Sequence, residues 1–152
     1  MAQYLSIHKI NKYVFYSNEL AFNIKHSVDS YSVFDSSNVL IFKIKNESYR
    51  KILLESSSLK LNLEIMTDNS NNINRGRKAT HVEFYLDNDY LIIQDDSHKF
   101  YLYQNNIKIG EINDILKRKS IININDDIPI EIVLFFYTIS LRMIQEEDLD
   151  IV

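Results

Sequence analysis

Hydrophobic and polar residues alternate along most of this chain, and one long hydrophobic stretch interrupts the alternation near its end. The alternation is clearest over residues 59–65, where leucine or isoleucine occupies every second position. A period of two is typical of a β-strand with one buried and one solvent-facing side. Similar short segments fill residues 13–125, separated by turn sequences such as DSSN at 35–38. With turns at intervals of about 8–12 residues, the pattern predicts about 10–12 strands in a sandwich or a barrel.

The hydrophobic stretch, residues 128–144, reads IPIEIVLFFYTISLRMI, and its only charged residues are Glu131 and Arg142. It is far longer than a typical strand of about 5–6 residues. Two aspartates precede it, where side-chain oxygens can cap free backbone N–H groups, and its single proline, Pro129, is tolerated in a first helical turn. The stretch therefore predicts a helix over about residues 128–147.

A helix that is hydrophobic on all sides is either a membrane span or enclosed in a core. A span requires about 20 apolar residues, whereas this stretch is shorter and carries two charges, so enclosure is favoured. A tail anchor is the alternative, because Lys117, Arg118 and Lys119 would then lie on the cytoplasmic side.

Alternating strands can enclose such a helix if they close into a barrel, which also leaves no strand edge open. A helix over residues 128–144 is about 25 Å long, and strands of about 6–7 residues span about 20 Å, so the lengths are compatible. No linker rich in proline, glycine or serine divides the chain. The sequence predicts a mainly β (α+β) fold, a closed antiparallel β-barrel around a central hydrophobic C-terminal helix, as a single domain over residues 1–152.

Three segments carry a family resemblance. Residues 22–45 contain FNIK, YSV and LIFKIK, similar to an opening of F-x-I, Y-x-V and I-K. Residues 98–112 (HKFYLYQNNIKIGEI) resemble a late hairpin that ends in x-I-G/A-x-I, and residues 124–127 (INDD) precede the helix. In these features the chain is similar to the tubby C-terminal-like superfamily, and most similar to its small bacterial members. The similarity covers about residues 13–147 and departs at 67–78, which are longer and more basic than in a minimal member.

The resemblance implies a barrel around a central helix. The superfamily includes tubby domains, which bind phosphoinositides through surface basic residues, plant LURP-one-related proteins, and phospholipid scramblases, which act at membranes with calcium. No calcium motif of that kind is present in this chain, and the basic motif cannot be placed residue by residue. The resemblance therefore implies a role at lipid surfaces without assigning any site residue.

Composition narrows the classes of function. The net charge of −4 argues against a general nucleic-acid-binding protein, because such proteins are normally basic. The absence of cysteine excludes disulfides and thiolate metal sites and suits a reducing compartment. Residues 1–12 lack the features of a secretory signal, so we expect a cytoplasmic protein, peripheral at the membrane if it binds lipid. Because asparagine is abundant and glycine is scarce, asparagine is predicted at turn positions with positive φ.

Two basic clusters are the candidate binding residues for an anionic ligand. The first follows a polar, asparagine-rich loop, and the second precedes the last strand segment; together they comprise Arg75, Arg77, Lys78, Lys117, Arg118 and Lys119. Each basic residue near an anionic lipid surface contributes about 1 kcal/mol. The alternative is that both clusters are simply solvated loops. If the barrel places both at one end, they predict a bipartite anionic site.

No catalytic, metal or cofactor site is predicted. The pairs Asp95-Asp96 and Asp126-Asp127 fit turn and capping positions better than acid–base chemistry. The four histidines share no metal-ligand spacing, and no G-x-S-x-G motif is present. We therefore expect a non-catalytic module that binds an anionic lipid headgroup or another anionic ligand. The second hypothesis is a protein-interaction or assembly module, with Tyr13 and Tyr16 on its contact surface.

Overall fold

The computed structural model of the protein describes residues 2–9, 12–17, 20–48, 51–56, 60–67, 80–95, 98–115 and 117–151. These residues form twelve β-strands and one α-helix. The strands are β1 (Ala2–Lys9), β2 (Lys12–Ser17), β3 (Leu20–His26), β4 (Ser30–Phe34), β5 (Leu40–Ser48), β6 (Lys51–Ser56), β7 (Lys60–Thr67), β8 (Thr80–Tyr85), β9 (Asp89–Gln94), β10 (Phe100–Gln104), β11 (Ile107–Ile112) and β12 (Lys119–Ile124). The helix, α1, spans Ile130–Ile151.

The strands form one closed antiparallel barrel. Each strand pairs with its neighbours in the chain, and β1 pairs with β12 to complete the ring. Side chains alternate between the two faces of the wall, as the period of two predicts. On β3, for example, Phe22 and Ile24 are buried inside, whereas Lys25 is exposed. The predicted fold class is confirmed, and the strand count lies at the upper end of the predicted range.

The helix occupies the interior of the barrel. Every residue from Ile132 to Ile144 is buried, and the contacts of the helix reach different sides of the wall. Phe135 meets Phe42 of β5 edge to face, with ring centroids 4.4 Å apart, and Tyr137 lies 5.6 Å from Phe15 of β2. No helix in the described part of the chain has the length and apolar character that crossing a bilayer requires.

Three polar side chains of α1 are hydrogen-bonded to the wall or to the helix itself, whereas the buried hydroxyl of Thr138 has no hydrogen-bond partner among the described residues. Ser6 of β1 donates a hydrogen bond to the Tyr137 hydroxyl, and the Arg142 guanidinium donates to the side-chain oxygen of Asn46 on β5. Ser140 donates to the carbonyl of Phe136, one turn earlier, at 2.7 Å. These bonds offset part of the cost of burying polar groups.

The helix begins at Ile130, two positions after the predicted start at residue 128. Pro129 precedes the first helical residue, and its carbonyl accepts hydrogen bonds from the N–H groups of Ile132 and Val133 at 3.0 and 3.2 Å. Pro129 thus lies at the boundary, where its missing N–H removes no intrahelical bond. At the other end, α1 extends to Ile151, beyond the predicted end near residue 147.

The turns use asparagine and other polar residues in place of glycine. Among the described residues, positive φ occurs at Asn38, Asp87, His98, Asn105 and Asn106. The last two, with φ of 50° and 70°, form a two-residue hairpin loop between β10 and β11, and their positive φ values match a type I′ turn. The expectation that asparagine takes such positions is confirmed at three of the five sites.

Alkaline pH is expected to destabilise the barrel, because burial raises the pKa of the Tyr137 phenol above its ordinary value of 10.0. Burial also raises the pKa of Tyr13. When the pKa of a tyrosine is higher in the folded state than in the unfolded state, the protonated phenol stabilises the fold. This contribution is complete below the unfolded-state pKa of about 10. Above that pH the free energy of unfolding falls by up to about 1.4 kcal/mol per pH unit. Denaturant titrations from neutral pH to about pH 11 measure this slope. Tyr137→Phe should reduce it, and an unchanged slope would contradict the assignment.

Candidate functional site

The barrel has two chemically different ends. We call the end at which α1 begins the proximal end, and the end towards which α1 runs the distal end. Strand β12 begins at the distal end with Lys119 and finishes at the proximal end with Ile124. Because every pairing is antiparallel, each strand end and turn belongs unambiguously to one of the two ends. Basic residues of β1, β2, β3 and β12 lie at the distal end, towards which the acidic last turns of α1 also run, and exposed carboxylates line turns of the proximal end.

The predicted cluster Lys117, Arg118 and Lys119 lies at the distal end, and all three side chains are exposed. The segment is attached to β1: the His8 N–H donates to the Arg118 carbonyl at 2.8 Å, and Lys119 pairs with Ile7. No salt bridge joins these three side chains to an acid among the residues that the structure describes. The cluster is therefore held beside the first hairpin with its side chains exposed.

A row of lysines on the outer wall continues this cluster. Lys9 of β1 pairs with Lys12 of β2, which pairs with Lys25 of β3. We call these three residues the lysine row. Lys25 in turn pairs with Ser32 of β4, and Ser32 pairs with Lys43 of β5. Directly opposed residues point to the same face with Cβ atoms about 4.5–5.5 Å apart, and like charges at such positions are destabilising.

The lysine row adjoins an apolar part of the outer wall. Leu5 of β1 pairs with Tyr16 of β2 on one side and with Ile121 of β12 on the other, and all three side chains are half-buried. Phe34 of β4 lies under the lysine row, with the Lys25 ammonium 5.1 Å from its ring centroid. Basic and apolar surfaces thus meet on the wall formed by β1–β4 and β12.

The other predicted cluster, Arg75, Arg77 and Lys78, lies outside the described residues. The strands on either side of that segment are described: Thr67 at the end of β7 pairs with Thr80 at the start of β8. Both are at the distal end, four strands around the ring from the start of β12. The segment that carries these residues therefore leaves and rejoins the barrel at the same end as the second cluster.

The proximal end carries two clefts, one on each side of the β8–β9 turn (residues 86–88). The mouth cleft, of about 630 Å³, lies between this turn and the first turn of α1. Its lining includes the apolar side chains of Ile41, Leu86, Pro129, Ile132 and Phe135, and the carboxylates of Asp87, Asp127 and Glu131. The wall cleft, of about 480 Å³, lies along β8 and β9 and is lined by Glu83, Phe84, Tyr85, Asp89, Tyr90, Leu91 and Asn106.

Of the two pairs considered for acid–base chemistry, one residue, Asp95, has a structural role in a turn. Asp95 closes a turn by accepting the N–H of Lys99 at 3.1 Å and the hydroxyl of Tyr101 at 3.1 Å, whereas Asp96 lies outside the described residues. Asp126 and Asp127 are exposed in the turn before α1. Within the described ranges, no group of three or more potential metal ligands comes together.

The tyrosines proposed for a contact surface point to opposite faces of β2. Tyr13 faces inward, where it meets Tyr137 edge to face at 6.4 Å and stacks on His8 at 4.4 Å. Tyr16 is half-buried on the outer wall. They do not form one surface, because residues three apart in a strand point to opposite faces.

The lysine row and the proximal clefts were not found from the sequence. Lys9, Lys12 and Lys25 look unremarkable along the chain, and only the pairing of β1, β2 and β3 brings them together. The one available signal is that lysine lies near the same end of three successive strand segments. Comparisons of the chain with protein-family models, curated proteins and solved structures give no match.

Proposed function

We propose that the protein is a non-catalytic barrel module that binds anionic phospholipid headgroups at a membrane surface through its basic distal end. The observation that carries this proposal is the lysine row, in which three lysines occupy directly opposed positions on adjacent strands. Such pairs are repulsive in the free protein. An anionic surface relieves the repulsion and gains about 1 kcal/mol per nearby basic residue.

The surroundings of the lysine row support a lipid surface over a small soluble anion. The row and the cluster at Lys117–Lys119 form a broad basic surface rather than an enclosed pocket. The apolar wall at Leu5, Tyr16 and Ile121 adjoins it, and basic residues next to apolar and aromatic side chains are typical of surfaces that lie in the membrane interface.

We also propose that the protein is cytoplasmic, that it attaches peripherally to the membrane, and that it belongs to the tubby C-terminal-like superfamily. A closed twelve-stranded barrel around a C-terminal helix supports this kinship, because it is the arrangement that the sequence resemblance implies. Basic residues on surface strands are also how tubby domains are understood to bind phosphoinositides.

Removing two charges of the lysine row is expected to weaken binding to anionic vesicles about tenfold, through loss of about 1 kcal/mol per residue before screening. The variant is Lys12→Gln/Lys25→Gln, measured by co-sedimentation with vesicles of phosphatidylcholine alone or with added phosphatidylserine or phosphoinositide. The matched control is Lys60→Gln/Lys108→Gln, which removes the same charge from lysines at the proximal end that pair with Glu55 and Glu111.

The control should bind as the parent protein does. If both variants bind equally, or if the parent protein binds neutral vesicles as well as anionic ones, the proposal is wrong. Two further variants locate the edges of the site: Lys117→Gln/Arg118→Gln/Lys119→Gln and Arg75→Ala/Arg77→Ala/Lys78→Ala. Unchanged binding by the second would place residues 75–78 outside the lipid site.

A further inference from the structure

The proximal end carries a concentration of negative charge that the described residues do not neutralise. Five carboxylates line the mouth and wall clefts: Glu83, Asp87, Asp89, Asp127 and Glu131. All five are exposed, none takes part in a salt bridge within the described ranges, and no lysine, arginine or histidine is among the residues that line either cleft. Carboxylates gathered around two concave surfaces create a negative potential that attracts a cationic ligand.

The two clefts lie next to each other, on either side of the β8–β9 turn. Tyr90 lines both of them and is held in place from two sides. Its ring stacks on Phe84 with centroids 5.1 Å apart, and its hydroxyl accepts a hydrogen bond from the Gln104 side chain at 3.2 Å. Asp87 lies on the mouth-cleft side of the turn and Asp89 on the wall-cleft side, so a ligand that crosses the turn meets a carboxylate in each cleft.

The walls of the clefts are apolar as well as acidic. Ile41, Leu86 and Pro129 are accessible in the mouth cleft, and Tyr85, which is 62% exposed, borders the wall cleft beside Leu91. Binding sites of this kind combine apolar walls with a few oriented polar groups. A ligand that matches them carries apolar groups between its positive charges.

We propose that the proximal end is a docking site for a basic peptide segment of a partner protein, in which lysine or arginine residues alternate with apolar residues. The basic side chains pair with carboxylates on the two sides of the β8–β9 turn, and the apolar side chains bury surface against Leu86, Pro129 and Tyr85. This site is at the opposite end of the barrel from the proposed lipid surface and does not depend on it.

The proposal is tested with a fluorescein-labelled peptide in which lysine alternates with leucine, compared with a peptide of equal length and charge in which serine replaces leucine. Fluorescence anisotropy at physiological ionic strength should show that the leucine peptide binds at least about tenfold more tightly, because only that peptide buries apolar surface. Chemical-shift changes of backbone amides on binding should centre on residues 41, 85–91 and 127–132.

The variant Asp87→Asn/Asp127→Asn/Glu131→Gln should weaken binding of the leucine peptide about tenfold or more. Asparagine is suited to position 87, where φ is 65°. The matched control, Asp29→Asn/Glu47→Gln/Glu64→Gln, removes three exposed carboxylates that line neither cleft and should bind as the parent protein does.

Three results would each overturn the proposal: no binding of the leucine peptide, equal binding of the serine peptide, or equal loss in the two triple variants. Spermine, a cation without apolar side chains, should compete only weakly, and competition as effective as that of unlabelled peptide would likewise reject a peptide site. Vesicle binding of the Asp87→Asn/Asp127→Asn/Glu131→Gln variant should be unchanged. The peptide proposal is thus tested by peptide binding and the lipid proposal by vesicle binding, and either one can fail without the other.

Discussion

Replacing Phe136 with alanine is expected to lower the free energy of unfolding by about 3–5 kcal/mol. Phe136 lies in the second turn of α1 and is fully buried. Removing its ring loses the transfer free energy of the buried atoms and leaves a cavity whose cost depends on how far the surroundings can collapse. Here the surroundings are a ring of twelve hydrogen-bonded strands without an open edge, so we expect little collapse and a cost near the upper end of that range.

Urea or guanidinium titration measures this effect, with Tyr85→Ala as the matched control. The control also truncates an aromatic side chain, but one that is 62% exposed on the outer wall, and surface substitutions usually change stability by less than about 0.5 kcal/mol. Since a domain of this kind is stable by about 5–15 kcal/mol in total, the Phe136 variant will be near its unfolding threshold. Similar midpoints for the two variants would contradict the enclosure of α1.

The fold could be predicted because two patterns in the sequence require each other. The segment around Leu61 and Leu63 specifies strands with a single apolar face, and the stretch from Ile132 to Ile144 specifies a helix with apolar residues on every side. One helix of that kind needs an apolar surface all around it, and only a closed sheet supplies one. The turn at Asn105 and Asn106 was predictable for a local reason, since both residues tolerate positive φ.

The first strand shows where pattern reasoning fails. Ser6 faces the interior of the barrel and is almost fully buried, whereas Leu5 and Ile7 face outward and are half-buried. A pattern that places hydrophobic residues inside and polar residues outside would predict the reverse for all three residues. The reason lies in α1: the Tyr137 hydroxyl is buried and hydrogen-bonded to Ser6, because an unpaired buried hydroxyl is costly. That partner is 131 positions away in the chain, beyond the reach of local periodicity.

Residues 48–55, SYRKILLE, interrupt the alternation of hydrophobic and polar residues, and their sequence is compatible with a helical turn or with a bulged strand. The structure shows the second for the described part of this segment: β5 ends at Ser48, the pairing of β5 with β6 shifts between Asn46 and Ser48, and β6 begins at Lys51. Asn46 at this irregularity accepts the hydrogen bond from Arg142. The bulge thus lies where a buried guanidinium needs an acceptor, a requirement that no local pattern reveals.

The candidate sites depend on register, which a single sequence does not specify. A shift of one residue in the pairing of β2 would move Lys12 away from Lys9 and Lys25 and turn it to the other face. The mouth cleft likewise combines parts that are distant in sequence: Asp87 of the β8–β9 turn and Asp127 of the segment before α1 both line it. Runs of like charge along the chain, by contrast, were visible at once, and this is why Lys117–Lys119 could be named in advance.

Gly110 on β11 is a position where a single methyl group is expected to disrupt the wall. It pairs with Leu102 of β10 and Ile124 of β12, next to a bulge at which the register with β10 shifts between Leu102 and Tyr103. A Cβ atom at Gly110 would lie 2.8 Å from Cγ1 of Ile124 and 3.1 Å from the carbonyl oxygen of Asn123. The first contact can relax by movement of a side chain, but the second is to backbone held in the β11–β12 pairing.

Two effects of Gly110→Ala oppose each other, and their sizes decide the sign. Alanine in a strand is favoured over glycine by about 0.5–1 kcal/mol, because the unfolded chain loses less entropy on folding. Overpacking of a tight interior costs about 1–3 kcal/mol. The steric term is larger, so we expect Gly110→Ala to lower the free energy of unfolding by about 1 kcal/mol at the midpoints of the two ranges and by at most about 2.5 kcal/mol. Gly110→Val should lower it further.

A double-mutant cycle with Ile124→Ala tests whether the steric contact causes the loss of stability. That substitution removes the Cγ1 atom nearest to the added methyl group. Gly110→Ala should be less costly in the Ile124→Ala background than in the parent protein, with a coupling of about 0.5–3 kcal/mol as found for residues in contact. Thermal or denaturant unfolding of the four proteins supplies the cycle. A Gly110→Ala protein more stable than the parent, or additive effects of the two substitutions, would show that the wall at β11 and β12 is looser than the distances of 2.8 and 3.1 Å indicate.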